Sequence, residues 1–201
     1  MIDQRSETLQ LTASAVALTM VLVCTGTSAS QAPTDGERHV RIHDIQGASH
    51  LSPVLGKRVR GVVGVVTAVG DGNFWLQDPM DDGDVATSEG IMVMPGSNAP
   101  AVSEGNFAVV AGTVVEEGYG QNLTRTVLVD AEIEVRSTRN PLPPPVVLGR
   151  GGRPLPDAVI DDDGLARFEP TRDGADLFES LEGMRVRVEG GLVVRPTTGY
   201  G

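Results

Sequence analysis

Lys57–Gly70 reads KRVRGVVGVVTAVG, and its reading decides the fold. Val59, Val63, Val65 and Val69 recur at period two on one face, with Thr67 among them, while Val62 and Val66 fall on the other. β-Branched side chains at this density lose rotamer freedom in a helix and pack well on a pleated surface, so the segment is predicted to be a strand. At roughly 12 residues it would run ~40 Å, long for a small domain. Gly61 and Gly64 interrupt it, and glycine inside a strand marks a bend or bulge. A small barrel needs such a bend for one strand to serve two sheet layers.

Working outward, Asp71-Gly72 is a turn signal, followed by a strand over Asn73–Gln77. A polar loop, Asp78–Glu89, leads to a third strand at Gly90–Met94. The segment Pro95–Glu104 is too poor in helix formers to be more than a loop or one short turn. Asn106–Glu116 forms a fourth strand with Gly112 at its centre. In Val127–Arg136, Val127, Val129, Ala131, Ile133 and Val135 alternate with Leu128, Asp130, Glu132, Glu134 and Arg136, the pattern of a half-buried strand. Five strands in about 80 residues, the first long and bent, give the expected class: an all-β, five-stranded OB-like barrel over residues 39–136. A Pro/Gly-rich linker follows at 137–173, with six prolines between Asn140 and Asp157. Residues 174–201 read as the truncated start of a second β unit, poorly ordered in isolation because a strand or two without a sheet is marginal in water. It opens with a short helix at Gly174–Leu181, with Asp173 as its cap. Leu181–Pro196 (LEGMRVRVEGGLVVRP) repeats the order of Leu55–Val69 (LGKRVRGVVGVVTAV); a chance likeness of two Val-rich strands is the alternative.

The N-terminus reads as an address. Leu11–Cys24 is uncharged, mostly apolar and too short to span a bilayer, and Thr27-Ser28-Ala29 supplies small residues for cleavage. Residues 1–29 are therefore expected to be a signal peptide and 30–38 a flexible leader, giving a secreted, extracellular or periplasmic protein with no stable membrane insertion after cleavage. A lipoprotein modified at Cys24 and an uncleaved anchor are the competing readings. Cys24 is the single cysteine, so no intrachain disulfide can form.

The whole chain bears 16 Lys+Arg against 27 Asp+Glu, a formal net charge of −11. Such a surface repels phosphate at long range, so nucleic acid would need a local basic patch. Phe74, Trp75, Phe107 and Tyr119 are candidates for base stacking, and Lys57, Arg58, Arg60 and Arg125 for phosphate contacts. Phe74 and Trp75 are adjacent in a strand, so one faces inward and one outward. Clustered oxygens at Asp78, Asp81, Asp82, Asp84 and Glu89 are a candidate for a hard cation, though the spacing is not that of an EF-hand and a solvated loop is the simpler reading. His39, His43 and His50 read as incidental surface residues, because the β-branched surroundings oppose a helix that would align the first two. No serine sits in a GxSxG elbow and there is no phosphate-binding GxxxxGKS loop, so nucleophilic catalysis is not expected.

The stretch IHDIQGASHLSPVLGKRVRGVVGVVTAV, with FWLQDP at Phe74–Pro79, DGDVATSEGIMV at Asp82–Val93, VSEGNFAVVAGTVVE at Val102–Glu116 and LFESLEGMRVRV from Leu177, resembles the N-terminal OB-like region of bacterial extracellular nucleases of the endonuclease/exonuclease/phosphatase superfamily. The resemblance implies secretion and DNA or RNA as partner. It also implies intramolecular contact with a downstream catalytic domain that uses Mg2+ or Ca2+. The catalytic motifs of that domain are not among these 201 residues, so no catalytic residue and no cofactor are expected in this chain. The expected role is a noncatalytic module that positions nucleic acid or braces the phosphodiesterase domain. The alternative is a secreted binding or spacer module for protein or polysaccharide.

Overall fold

In the computed structural model, residues 40–118, 124–156 and 158–190 are described; the signal-peptide segment, the leader and Tyr119 lie outside them. The chain runs α1 (Ile42–Gln46), β1 (Arg58–Val69), β2 (Phe74–Gln77), β3 (Gly90–Pro95), β4 (Phe107–Gly118), β5 (Thr124–Ser137), β6 (Val146–Leu148), α2 (Gly174–Glu179) and β7 (Val186–Val188). The first five strands close into a barrel in the order β1-β2-β3-β5-β4, with β4 returning to β1. Only the β3–β5 pair of the barrel is parallel. This is an all-β, OB-like barrel.

The long first strand does serve two neighbours. Its first half pairs with β4, from Arg58↔Thr113 to Val65↔Phe107, and its second half with β2, from Val65↔Gln77 to Val69↔Phe74. Two glycines permit this. Gly61 adopts φ +71°, at a register shift where β1 carries one residue more than β4. At Gly64 an added Cβ would come within 2.7 Å of the Leu76 side chain and 2.9 Å of the Gln77 carbonyl. The expectation of a glycine-bent strand holds.

The same shifts overturn the inward/outward assignments read from simple alternation. On β1 the core receives Val59, then Val62 and Val66, because the extra residue at Gly61 moves the inward set from odd to even positions. On β5 it receives Leu128 and then Ala131. Asp130 takes φ +50° opposite Gly112, and the pairing steps from Val129↔Thr113 to Glu132↔Ala111. Leu128, assigned by alternation to the polar side, is fully buried.

The barrel core gathers these residues with Phe74, Leu76, Ile91, Val93, Ala108, Val110 and Val114. Helix α1 plugs one end with Ile42 and Ile45, three apart and thus on one face, and Gly47 at φ +71° ends it. Where β-branched residues argued against a helix, the burial of these two isoleucines outweighs their modest propensity.

Residues that the sequence reading divides between a linker and a second unit share one sheet. β6, within the expected linker, pairs in parallel with β7, from Val146↔Val186 to Leu148↔Val188. Leu148, Leu177 and Leu181 form a second small core beside Val146 and Met184. The short helix expected near Gly174 is present, but Asp173 makes no side-chain capping bond. The segment after α2 lies against the barrel. Ser88 Oγ donates to the Glu182 carbonyl at 2.6 Å, and the Arg185 amide donates to Gln77 Oε1 at 2.9 Å. Gly90, the first residue of β3, touches backbone there: a Cβ would sit 2.3 Å from the Gly183 carbonyl carbon. Backbone cannot yield as a flexible side chain can. Gly90→Ala is therefore expected to lift this segment and cost about 2–3 kcal/mol, read as a lower urea midpoint and faster proteolysis C-terminal to Ser180. An unchanged midpoint would show that the contact contributes nothing to stability.

Candidate functional site

Among the described residues, those proposed to contact nucleic acid do not converge. Phe74 is fully buried in the core, so it cannot stack on a base. Trp75 faces the other way on β2, half-buried, opposite Ala68 and Met92. Lys57, Arg58 and Arg60 lie at and before the opposite half of β1, all exposed. Arg58 is paired to Glu132 at 2.6 Å, and Arg60 borders a groove with Glu132, Glu134 and Arg136. Arg125, on β5, is paired to Glu117 at 2.6 Å. Among the described residues these cations are interleaved with carboxylates, and none adjoins Trp75 across a strand pair.

The outer side of β2–β3, where OB barrels commonly take their ligands, is partly occupied by the chain itself. Gln77 and Gly90, a register pair of these strands, are covered by Gly183–Arg185.

The acidic loop is resolved into separate roles. Asp78 is buried, pairs with Arg41 Nε at 2.5 Å and accepts the Met80 amide at 2.9 Å. Asp81 accepts the Gly83 amide, and Asp84 the Ala86 amide at 2.9 Å, so both fold the loop on itself. Of the four aspartates put forward as cation ligands, Asp82 alone reaches a mixed donor set. Its Oδ2 lies 3.5 Å from His43 Nδ1, and that nitrogen lies 3.1 Å from Glu89 Oε1. The ligand atoms of His43, Asp82 and Glu89 all fall within 4.8 Å of one another.

Three elements set this geometry. Helix α1 turns His43 away from the buried face that carries Ile42 and Ile45. The 78–89 loop brings Asp82 back, with its amide donating to Glu89 Oε1 at 2.9 Å. Glu89, immediately before β3, is anchored by the sheet, and its carbonyl accepts the Asp78 amide. Burial holds the Glu89 carboxyl above the ordinary carboxylate range, an effect opposed by hydrogen bonds from the Asp82 amide and His43.

Beside Glu89 opens a cleft of about 440 Å³ between the acidic loop and the C-terminal segment, lined chiefly by Val85, Arg153, Leu181 and Met184 with Asp84 and Glu89 at its polar side. Arg153 pins the two walls together, donating to the Val85 carbonyl and to Ser180 Oγ, each at 2.8 Å. A mainly apolar concavity with a few convergent polar groups is the usual form of a small-molecule site.

His43 and His50 are not incidental surface residues. His43 and His50 are each mostly buried, and His50 Nε2 lies 2.7 Å from Asp176 Oδ1, with its ring edge-on to Phe168. Sequence reasoning missed both pairs because their partners lie 46 and 126 residues away. His39 lies outside the described residues.

The model of a domain family of unknown function (DUF8508) matches residues 147–201. No curated protein and no solved structure matches the chain.

Proposed function

We propose that the chain is a noncatalytic OB-like module of a secreted nuclease, and that it braces a downstream metal-dependent phosphodiesterase domain rather than gripping nucleic acid. The observation that carries the choice of bracing is the coverage of β2–β3 by Gly183–Arg185, which takes up part of the usual OB ligand face with the chain's own backbone. The scattered, carboxylate-paired arginines and the net charge of −11 support it. The nuclease assignment itself rests on the resemblance of the ordered motifs from Ile42 to Val188. No described helix is long and apolar enough to cross a membrane.

Two measurements test the reading. Translation of the gene beyond Gly201 should show a metal-dependent nuclease domain; a lectin-like or cell-wall domain would replace this reading with a binding module for protein or polysaccharide, for which the cleft beside Glu89 is the site. Titration of labelled single-stranded DNA into the purified chain should show no binding at low salt. Binding that weakens steeply with added salt would restore the positioning role.

A further inference from the structure

We propose that His43, Asp82 and Glu89 hold one divalent cation of the zinc class, and that the cleft lined by Glu89 gives solvent or a ligand access to its remaining coordination positions. The inference is independent of the nuclease reading.

The spacing is the first support. A tetrahedral ion bound at about 2.0–2.1 Å has neighbouring donors about 3.3 Å apart. His43 Nδ1 stands 3.1 Å from Glu89 Oε1 and 3.5 Å from Asp82 Oδ2. The donors come from a helix, a loop and the base of a strand, as three protein ligands of an open site commonly do.

Charge and hydrogen bonding are the second. Two carboxylates face the same imidazole nitrogen, and one N–H proton can bridge to only one of them well. Among the described residues no lysine or arginine pairs with Asp82 or Glu89; the nearby Arg41 is committed to Asp78 and the Met80 carbonyl. A cation in place of the proton satisfies all three donors together. Imidazole with carboxylates suits zinc better than the all-oxygen preference of Mg2+ or Ca2+.

The third is access and support. Glu89 lines both the donor cluster and the cleft, so an ion bound by three side chains is not sealed. Outer partners orient the ligands: Thr87 Oγ1 donates to Asp82 Oδ2 at 2.9 Å, and the Asp82 amide to Glu89 at 2.9 Å.

The test uses the untagged full chain, stripped with chelator and titrated calorimetrically with ZnCl2, with MgCl2 and CaCl2 in parallel. One zinc per chain is expected, with Mg2+ and Ca2+ far weaker. H43A and D82N should each weaken zinc by at least about tenfold, since losing a ligand costs more than losing an outer partner. D84N, in the same loop but outside the donor set, should bind as the parent does. Circular dichroism checks that each variant is folded, and the intense visible band of tetrahedral Co2+ gives a second readout that H43A should abolish. No stoichiometric zinc, parent-like affinity in H43A, or equal losses in D82N and D84N would each overturn the site, the last by showing a diffuse counterion effect of the acidic loop.

Discussion

Phe74→Ala is expected to destabilise the barrel by about 3–5 kcal/mol, whereas Trp75→Ala, one residue on, should cost only about 1 kcal/mol. Phe74 is the largest fully buried side chain among the described residues, and its removal leaves a void lined by β-barrel residues that are tied into closed ladders and cannot collapse inward. Trp75 faces outward and keeps part of its surface in water. Since Trp75 is the single tryptophan, its fluorescence reports unfolding of Phe74→Ala directly, and far-UV circular dichroism serves for both variants. Urea midpoints should fall widely for the first and little for the second, with unchanged slopes. Equal losses would mean that β2 is out of register by one residue, because a one-residue slip exchanges the two faces.

The second large effect is a pH dependence of the docked C-terminal segment. Burial pushes the Glu182 carboxyl up to about 8, with the Glu179 and Glu116 carboxylates adding to the effect, and Glu182 Oε2 has no hydrogen-bond partner. Burial likewise pushes Glu179 up to about 7, with Glu116 and Asp176 reinforcing it and His50 opposing it. Both groups bind their proton more tightly when docked than when released. Below the ordinary carboxylate value both states are protonated and docking is at full strength. From there to about 7–8, the released state sheds protons that the docked state keeps, so docking weakens as pH rises. Because both carboxyls retain some contact with solvent, the loss between pH 5 and 8.5 is on the order of 2–3 kcal/mol. Amide protection of residues 174–188, corrected for intrinsic exchange, should fall over this range, while that of β4 and β5 stays constant. Glu182→Gln should flatten most of the dependence. Protection that rises with pH would reverse the sign and show that these carboxylates are stabilised in their ionised form.

Such a segment, held by acids that resist ionisation, suits a brace that adjusts to its surroundings. It lies over the start of β3, where Gly90 allows backbone-to-backbone contact. Arg153 and Ser88 hold it to the 78–89 loop, so its release would also open the cleft wall.

The amino-acid sequence by itself determined the barrel. β-Branched density and period-two runs are local properties, and each of the five strands, the glycine-bent β1 and the helix-free passage before β4 could be read from neighbouring residues. The adjacency of Phe74 and Trp75 was enough to place them on opposite faces. Only the tertiary structure decided which valines enter the core. One extra residue at Gly61 and another at Asp130 each reverse the parity of the stretch that follows, a further shift between Val66 and Ala68 changes it again on β1, and a bulge is specified by the partner strand as much as by its own sequence. The site was likewise not legible as a motif. Asp78, Asp81, Asp82 and Asp84 are equivalent on paper, and it is the return of one loop past a two-isoleucine helix that selects Asp82, joins it to His43 and Glu89, and leaves the other three occupied with Arg41 and the loop's own amides. Contacts between residues dozens of positions apart leave no period in the sequence, because closing the intervening chain depends on the finished barrel rather than on the residues that meet.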